Sequence, residues 1–64
     1  KSSMVFRRSI YITKDICKGD ILNEENIRII RPGLGLSPKY YNLVLGRSVN
    51  QKIKMGTPLS WDHF

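Results

Sequence analysis

Cysteine is nearly missing from this chain. Cys17 is the only one in 64 residues, so no disulfide can form within it. A lone thiol suits a reducing compartment, and the cytoplasm is the expected location. The single histidine, His63, lies far from that cysteine, and none of the usual zinc spacings can be built. Long apolar runs are missing too. Nothing approaches the roughly 20 residues of a membrane span, and no apolar stretch follows Lys1-Ser2-Ser3-Met4 to make a signal peptide. With no initiator methionine, residues 1–6 read as a linker or tail from a preceding domain, left by a cut inside a longer chain. Acidic residues are scarce: 5 Asp and Glu stand against 11 Lys and Arg, a formal net charge of +6. Such an excess favours anionic partners. The cations are scattered, however, in the small groups Arg7-Arg8, Arg28/Arg31 and Lys52/Lys54. A basic surface is therefore the plainer reading, and a small polyanion-binding module is the alternative. The length allows one domain, burying roughly 60% of its unfolded surface around a small core.

What the chain does have is a repeat. Ile16-Cys17-Lys18-Gly19-Asp20-Ile21-Leu22 returns as Ile53-Lys54-Met55-Gly56-Thr57-Pro58-Leu59. Arg8-Ser9-Ile10 precedes the first copy and Arg47-Ser48-Val49 the second, which makes the second copy two residues shorter on this alignment. An even deletion keeps each side chain on its face. Both copies end in a cap and an acid, Asn23 with Glu25 and Ser60 with Asp62. Two strand–turn–strand units predict a pseudo-symmetric domain, with the function in the stretch 28–46 that breaks the symmetry.

Residues 8–16 read as a strand with Ile10 and Ile12 on one face and Tyr11 on the other. Gly19 and Gly56 supply turns. Ile27-Arg28-Ile29-Ile30-Arg31 reads as a second strand, and Pro32-Gly33-Leu34-Gly35-Leu36 as the main loop. Ser37-Pro38 starts a helix of about two turns over 39–45, with Gly46 at its end. Tyr40 with Leu43 and Val44, or Tyr41 with Val44 and Leu45, form its apolar side. A third strand spans 47–53. Ser60 caps a last turn, in which Trp61 and Phe64 are core or docking residues. The fold class is mostly β with short helical turns.

Three constellations bear on chemistry. Ser60, Asp62 and His63 have the composition of a hydrolytic triad, but such triads are assembled from distant segments; Ser60 reads as a cap and His63 as surface. Cys17 beside Lys18 has no base or second thiol, so it reads as structural. Gly33-Leu34-Gly35 lacks the rest of a phosphate-loop motif and alone is a turn. Arg31 before it is more informative. The following proline holds its backbone extended, and its planar guanidinium can meet a carbonyl, a hydroxyl pair, a carboxylate or a phosphate. Arg28, three residues earlier, faces the other way on a regular strand.

The motifs Arg7-Arg8-Ser9-Ile10-Tyr11, Lys18-Gly19-Asp20, Asn23-Glu24-Glu25-Asn26-Ile27-Arg28, Arg31-Pro32-Gly33-Leu34-Gly35-Leu36, Pro38-Lys39-Tyr40-Tyr41 and Gly56-Thr57-Pro58-Leu59-Ser60-Trp61-Asp62 resemble the C-terminal antifreeze-like (SAF) domain of bacterial sialic acid synthases. The likeness covers residues 7–64 and leans toward the pseudaminic and legionaminic branches. It implies a β-clip, or pretzel, fold with an internal pseudo-two-fold repeat. It implies a parent transferase whose N-terminal (β/α)8 barrel condenses phosphoenolpyruvate with an N-acetylated hexose, such as N-acetylmannosamine, to a nine-carbon nonulosonic acid. The parent uses Mn2+ or Mg2+ held by the barrel. By the resemblance this chain binds no cofactor or metal and is not catalytic alone. It covers the partner subunit's active site in a domain-swapped homodimer. Arg31 contacts the sugar, supported by Pro32, Gly33 and Gly35, and Pro32 is a candidate cis residue. No membrane is involved, and nucleic acid is not an expected partner. Type III fish antifreeze proteins share this fold, but Lys14, Asp15, Lys18 and Asp20 put charges of both signs where those have a flat, mostly uncharged face, which argues against ice binding. SAF domains of sugar-acid dehydratases and of pilus or flagellar assembly proteins are less like it at Pro38-Lys39-Tyr40-Tyr41 and Ser60-Trp61-Asp62.

Overall fold

Ile16 and Ile53 stand at the centre of the arrangement, each amide donating to the other's carbonyl at 2.9 Å. The computed structural model describes residues 7–64; the tail expected over 1–6 lies outside them. Around the central pair, long-range backbone bonds come in couples. Gly19 N donates to Val49 O, and Gly56 N to Ile12 O. Leu22 N donates to Arg47 O, and Leu59 N to Ile10 O. Thr13 N donates to Asn26 O, and Asn50 N to His63 O. The step that takes Ile16 to Ile53 turns each bond into its mate.

The same step carries Ile12 to Val49 and Tyr11 to Ser48, whereas the sequence alignment set Ile10 on Val49 and Ser9 on Ser48. The isolated bridges agree: Tyr11 pairs with Pro58, and Ile21 with Ser48. The Arg-Ser match misled because those residues share letters but not positions in the ladder.

Regular strand is shorter than expected. β1 is Ser9–Ile12 and β2 is Ile27–Ile30, antiparallel, with Ser9 opposite Ile30 and Ile12 opposite Ile27. The expected strand over 8–16 stops at Ile12, and Ile16 pairs only through its bridge to Ile53. The third expected strand, 47–53, is likewise two isolated bridges, at Ser48 and Ile53. Turns at both ends of each pairing segment leave no run long enough for a ladder.

All four residues of β1 are buried. Ile10 and Ile12 face the core, as their spacing requires. Tyr11 points the other way yet is only 7% exposed, and its hydroxyl has no partner among the described residues. The face opposite Ile10 and Ile12 is therefore covered as well.

Ile10, Ile12, Ile16, Leu22, Ile27, Val44, Val49, Ile53 and Leu59 form the core. The expected helix over 39–45 is a 3₁₀ turn, Pro38–Tyr40, followed by one α-turn, α1, Tyr41–Val44. Ser37 caps its start, accepting from Lys39 N. Val44 is fully buried, Tyr40, Tyr41 and Leu45 pack against the core, and Leu43 points to solvent. A second 3₁₀ turn, Trp61–His63, closes the chain.

Both caps form as the sequence predicts. Asn23 Oδ1 accepts from Glu25 N at 2.8 Å, and Ser60 Oγ from Asp62 N at 3.1 Å. Asn23 N donates to Asn26 Oδ1 at 2.8 Å, and Ser60 N to His63 Nδ1 at 3.1 Å. His63, expected as plain surface, is half-buried and completes a capping box.

Candidate functional site

The site is built on the chain between β2 and the Pro38–Tyr40 turn. β2 ends at Ile30 because Pro32 cannot donate to a ladder. The Arg31–Pro32 peptide is cis. Arg31 itself is exposed. Arg28, opposite Tyr11, belongs to the ladder and not to this end of it.

A buried serine fixes the loop. Ser9 is 1% exposed, and its Oγ donates to Pro32 O and accepts from Gly35 N, both at 3.0 Å. One hydroxyl thereby satisfies a carbonyl and an amide of the loop. The backbone continues the attachment: Ile10 N donates to Leu36 O at 3.0 Å, and Leu36 N to Leu59 O at 2.9 Å.

The two loop glycines are required by space. A Cβ on Gly35 would stand 2.6 Å from Ile10 O and 3.0 Å from Leu59 N. Those atoms are backbone inside the pairing network and cannot yield. A Cβ on Gly33 would meet Arg7 Cβ at 2.8 Å. The loop is thus pressed against β1 along its length. Pro32, Gly33 and Gly35 follow Arg31 in the chain, in the stretch that Ser9 Oγ ties down.

Ser9 is the residue that sequence reasoning missed. It was read only as part of the Arg-Ser match. No local motif marks a strand serine whose partners lie beyond the next strand.

The apparent triad is not assembled for hydrolysis. Ser60 Oγ accepts from Asp62 N, and His63 Nδ1 accepts from Ser60 N, so serine and histidine serve the turn. Cys17 is exposed and free in the first turn, where its amide donates to Asp20 Oδ2 at 2.8 Å. Among the described residues no three His, Cys, Asp or Glu side chains come together as metal ligands, and no helix is long and apolar enough to cross a membrane.

A pocket of about 300 Å³ opens beside the loop, lined by Arg7, Arg8, Gly33, Gly35, Ser37 and Pro38. On the other side of the Pro38–Tyr40 turn lies an aromatic cluster. Trp61, 46% exposed, meets Tyr40 edge-on at 5.2 Å and Phe64 at 5.9 Å, while Lys39 Nζ sits 5.2 Å above the Tyr40 ring. Trp61 is therefore a surface residue, and Phe64 the one that packs against the core.

Comparison with known proteins places this geometry in context. The SAF domain family model matches residues 7–64. The chain is 49% identical over 57 residues to the pseudaminic acid synthase of Helicobacter pylori, covering 89% of this chain and 17% of that protein. It is 33% identical over 57 residues to the N,N'-diacetyllegionaminic acid synthase of Legionella pneumophila, covering 89% of this chain and 16% of that one. In the solved structure of the spore coat polysaccharide biosynthesis protein SpsE of Bacillus subtilis, 17% of that chain superposes on 88% of this one, with a TM-score of 0.81 and 35% identity. The chain spans about a sixth of the length of the relatives it matches.

Proposed function

Because the chain belongs to the SAF domain family, we propose that it is the substrate-capping C-terminal domain of a sialic acid-type synthase, one that condenses phosphoenolpyruvate with an N-acetylated hexose to a nine-carbon nonulosonic acid. The higher identity to a pseudaminic than to a legionaminic acid synthase favours the pseudaminic branch. Carbon–carbon bond formation belongs to an N-terminal (β/α)8 barrel of the parent, with its Mn2+ or Mg2+; this chain lends it a lid. The lid covers the active site of the partner subunit in a cytoplasmic homodimer. The paired bonds around Ile16 and Ile53 support a β-clip built with a pseudo-two-fold axis.

The observation that carries the reading is the placement of Arg31. It is exposed, at the root of a loop that Ser9 and Gly35 hold against β1. A cation presented from a stiff base loses little freedom when it meets a ligand. In the proposed role its guanidinium donates to the acceptor sugar near the N-acetyl group. Holding the acceptor and excluding water are what a lid contributes to a bimolecular condensation.

In the full-length enzyme, Arg31→Ala is expected to raise KM for the hexose and lower kcat, for a loss in kcat/KM of about tenfold to a hundredfold. KM for phosphoenolpyruvate stays near its wild-type value. Steady-state kinetics with each substrate varied in turn give the answer, and an unchanged hexose KM and kcat reject the capping role.

A further inference from the structure

The pocket beside the loop has two cations and several donors among its liners. Among the described residues its charged liners are Arg7 and Arg8, and no carboxylate lines it. Neither guanidinium makes a hydrogen bond or ion pair with another described residue. Each offers five N–H groups and no acceptor. Gly33, also in the wall, donates its amide to no described acceptor. Ser37 lines the pocket as well; its Oγ accepts from Lys39 N, which leaves the hydroxyl proton to donate. Such a wall is matched by a ligand that only accepts.

The pocket is also built, not a passing gap between side chains. One side is the β1 edge, where Arg7 packs against Gly33 so closely that a Cβ would stand 2.8 Å from the Arg7 Cβ. The other side is loop backbone pinned through Ser9 Oγ. At about 300 Å³ it lies at the small end of ligand pockets. Two cations with no counter-charge among the described residues favour an anion, and charge-assisted bonds of this kind are about twice as strong as neutral ones.

We propose that this pocket is a binding site for an oxyanion, a phosphate or carboxylate group of a small molecule, held by Arg7 and Arg8 against the Gly33–Ser37 wall. The site is distinct from the role given to Arg31, and it stands whether or not the chain acts as a lid. Occupation would tie β1 to the loop through a second set of bonds besides Ser9. A rival occupant is an acidic side chain from elsewhere in the full-length protein.

The test uses the full-length protein that carries this chain. Inorganic phosphate, and separately acetate, is titrated by calorimetry into the wild type and into the Arg7→Ala/Arg8→Ala double variant. Lys52→Ala/Lys54→Ala removes the same charge elsewhere and serves as the control. Thermal melts confirm that each variant is folded, and Arg7→Lys/Arg8→Lys is the conservative substitute if the alanine variant is not. Crystals soaked in tungstate locate the site by anomalous scattering. The proposal expects one phosphate fewer per chain, or binding at least about tenfold weaker, in the arginine double variant only, and a tungstate peak between Arg7 and Arg8. Competition by acetate assigns the site to carboxylates as well; its absence assigns it to phosphate. Equal loss in the lysine control, unchanged binding in the arginine variant, or a pocket filled by the protein's own acidic side chain overturns it.

Discussion

Ser9 illustrates how much can depend on one small side chain. It lies in β1 at 1% exposure and joins two points of a loop more than twenty residues away. Ser9→Ala leaves the Pro32 carbonyl and the Gly35 amide without this partner, in a place closed to most water. The expected cost is about 1–3 kcal/mol, read from urea unfolding midpoints. Amide exchange at Gly35 should quicken by more than the global loss of stability explains; uniform acceleration over the whole chain would mean that Ser9 is ordinary core. Arg31 could be singled out from sequence because its signal is local: a cation before proline and glycine. Ser9 could not, because its signal exists only after the chain has folded back on itself.

Elements were legible where their chemistry is carried by adjacent residues. Asn23 and Ser60 were read as caps and act as caps, and Gly19 and Gly56 were read as turns and take φ of +91° and +92°. Strands were over-read. Residues 13–16 and 47–53 were read into strands, but Ile16, Ser48 and Ile53 pair through single bridges, and no local pattern reports how long a partner is. The helix over 39–45 was placed correctly and regularised too far, since Pro38 and Ser37 favour a tight first turn. The Ser60 cap gives a test at this scale. Ser60→Ala removes the acceptor for Asp62 N and frays the Trp61–His63 turn, with an expected loss of about 1 kcal/mol. Trp61 fluorescence then shifts at lower denaturant than far-ultraviolet circular dichroism; coincident transitions would contradict a local effect. The alignment of 8–10 with 47–49 was misread for a related reason: matching letters outweighed position in the hydrogen-bond pairing.

At the scale of the molecule, few residues carry the stability. A chain of this size has about 5 kcal/mol in hand, and its core is one cluster in which Leu59 is fully buried and hydrogen-bonded through its backbone to Ile10. Leu59→Ala is expected to cost about 2–5 kcal/mol, enough to unfold most of an isolated domain at 37 °C. Circular dichroism of the isolated domain and of the full-length protein would show whether the rest of the protein supports it: a large loss in the first and a small one in the second is the expected pair. The family was legible in the sequence, and so were antiparallel strands with few helical turns. The donor-lined pocket was not, because Arg7 and Arg8 meet Gly33 and Ser37 only across the fold.

The coupled bonds that begin at Ile16 and Ile53 bear on how the chain comes off the ribosome. Residues 12–22 find most of their backbone partners among residues 47–57. During synthesis the early segment therefore waits, its amides facing water, until the late one has left the exit tunnel. Only the short β1–β2 hairpin can form ahead of that moment. Closure comes as a single late event, and a chain that ended anywhere in the forties would leave its early apolar residues uncovered.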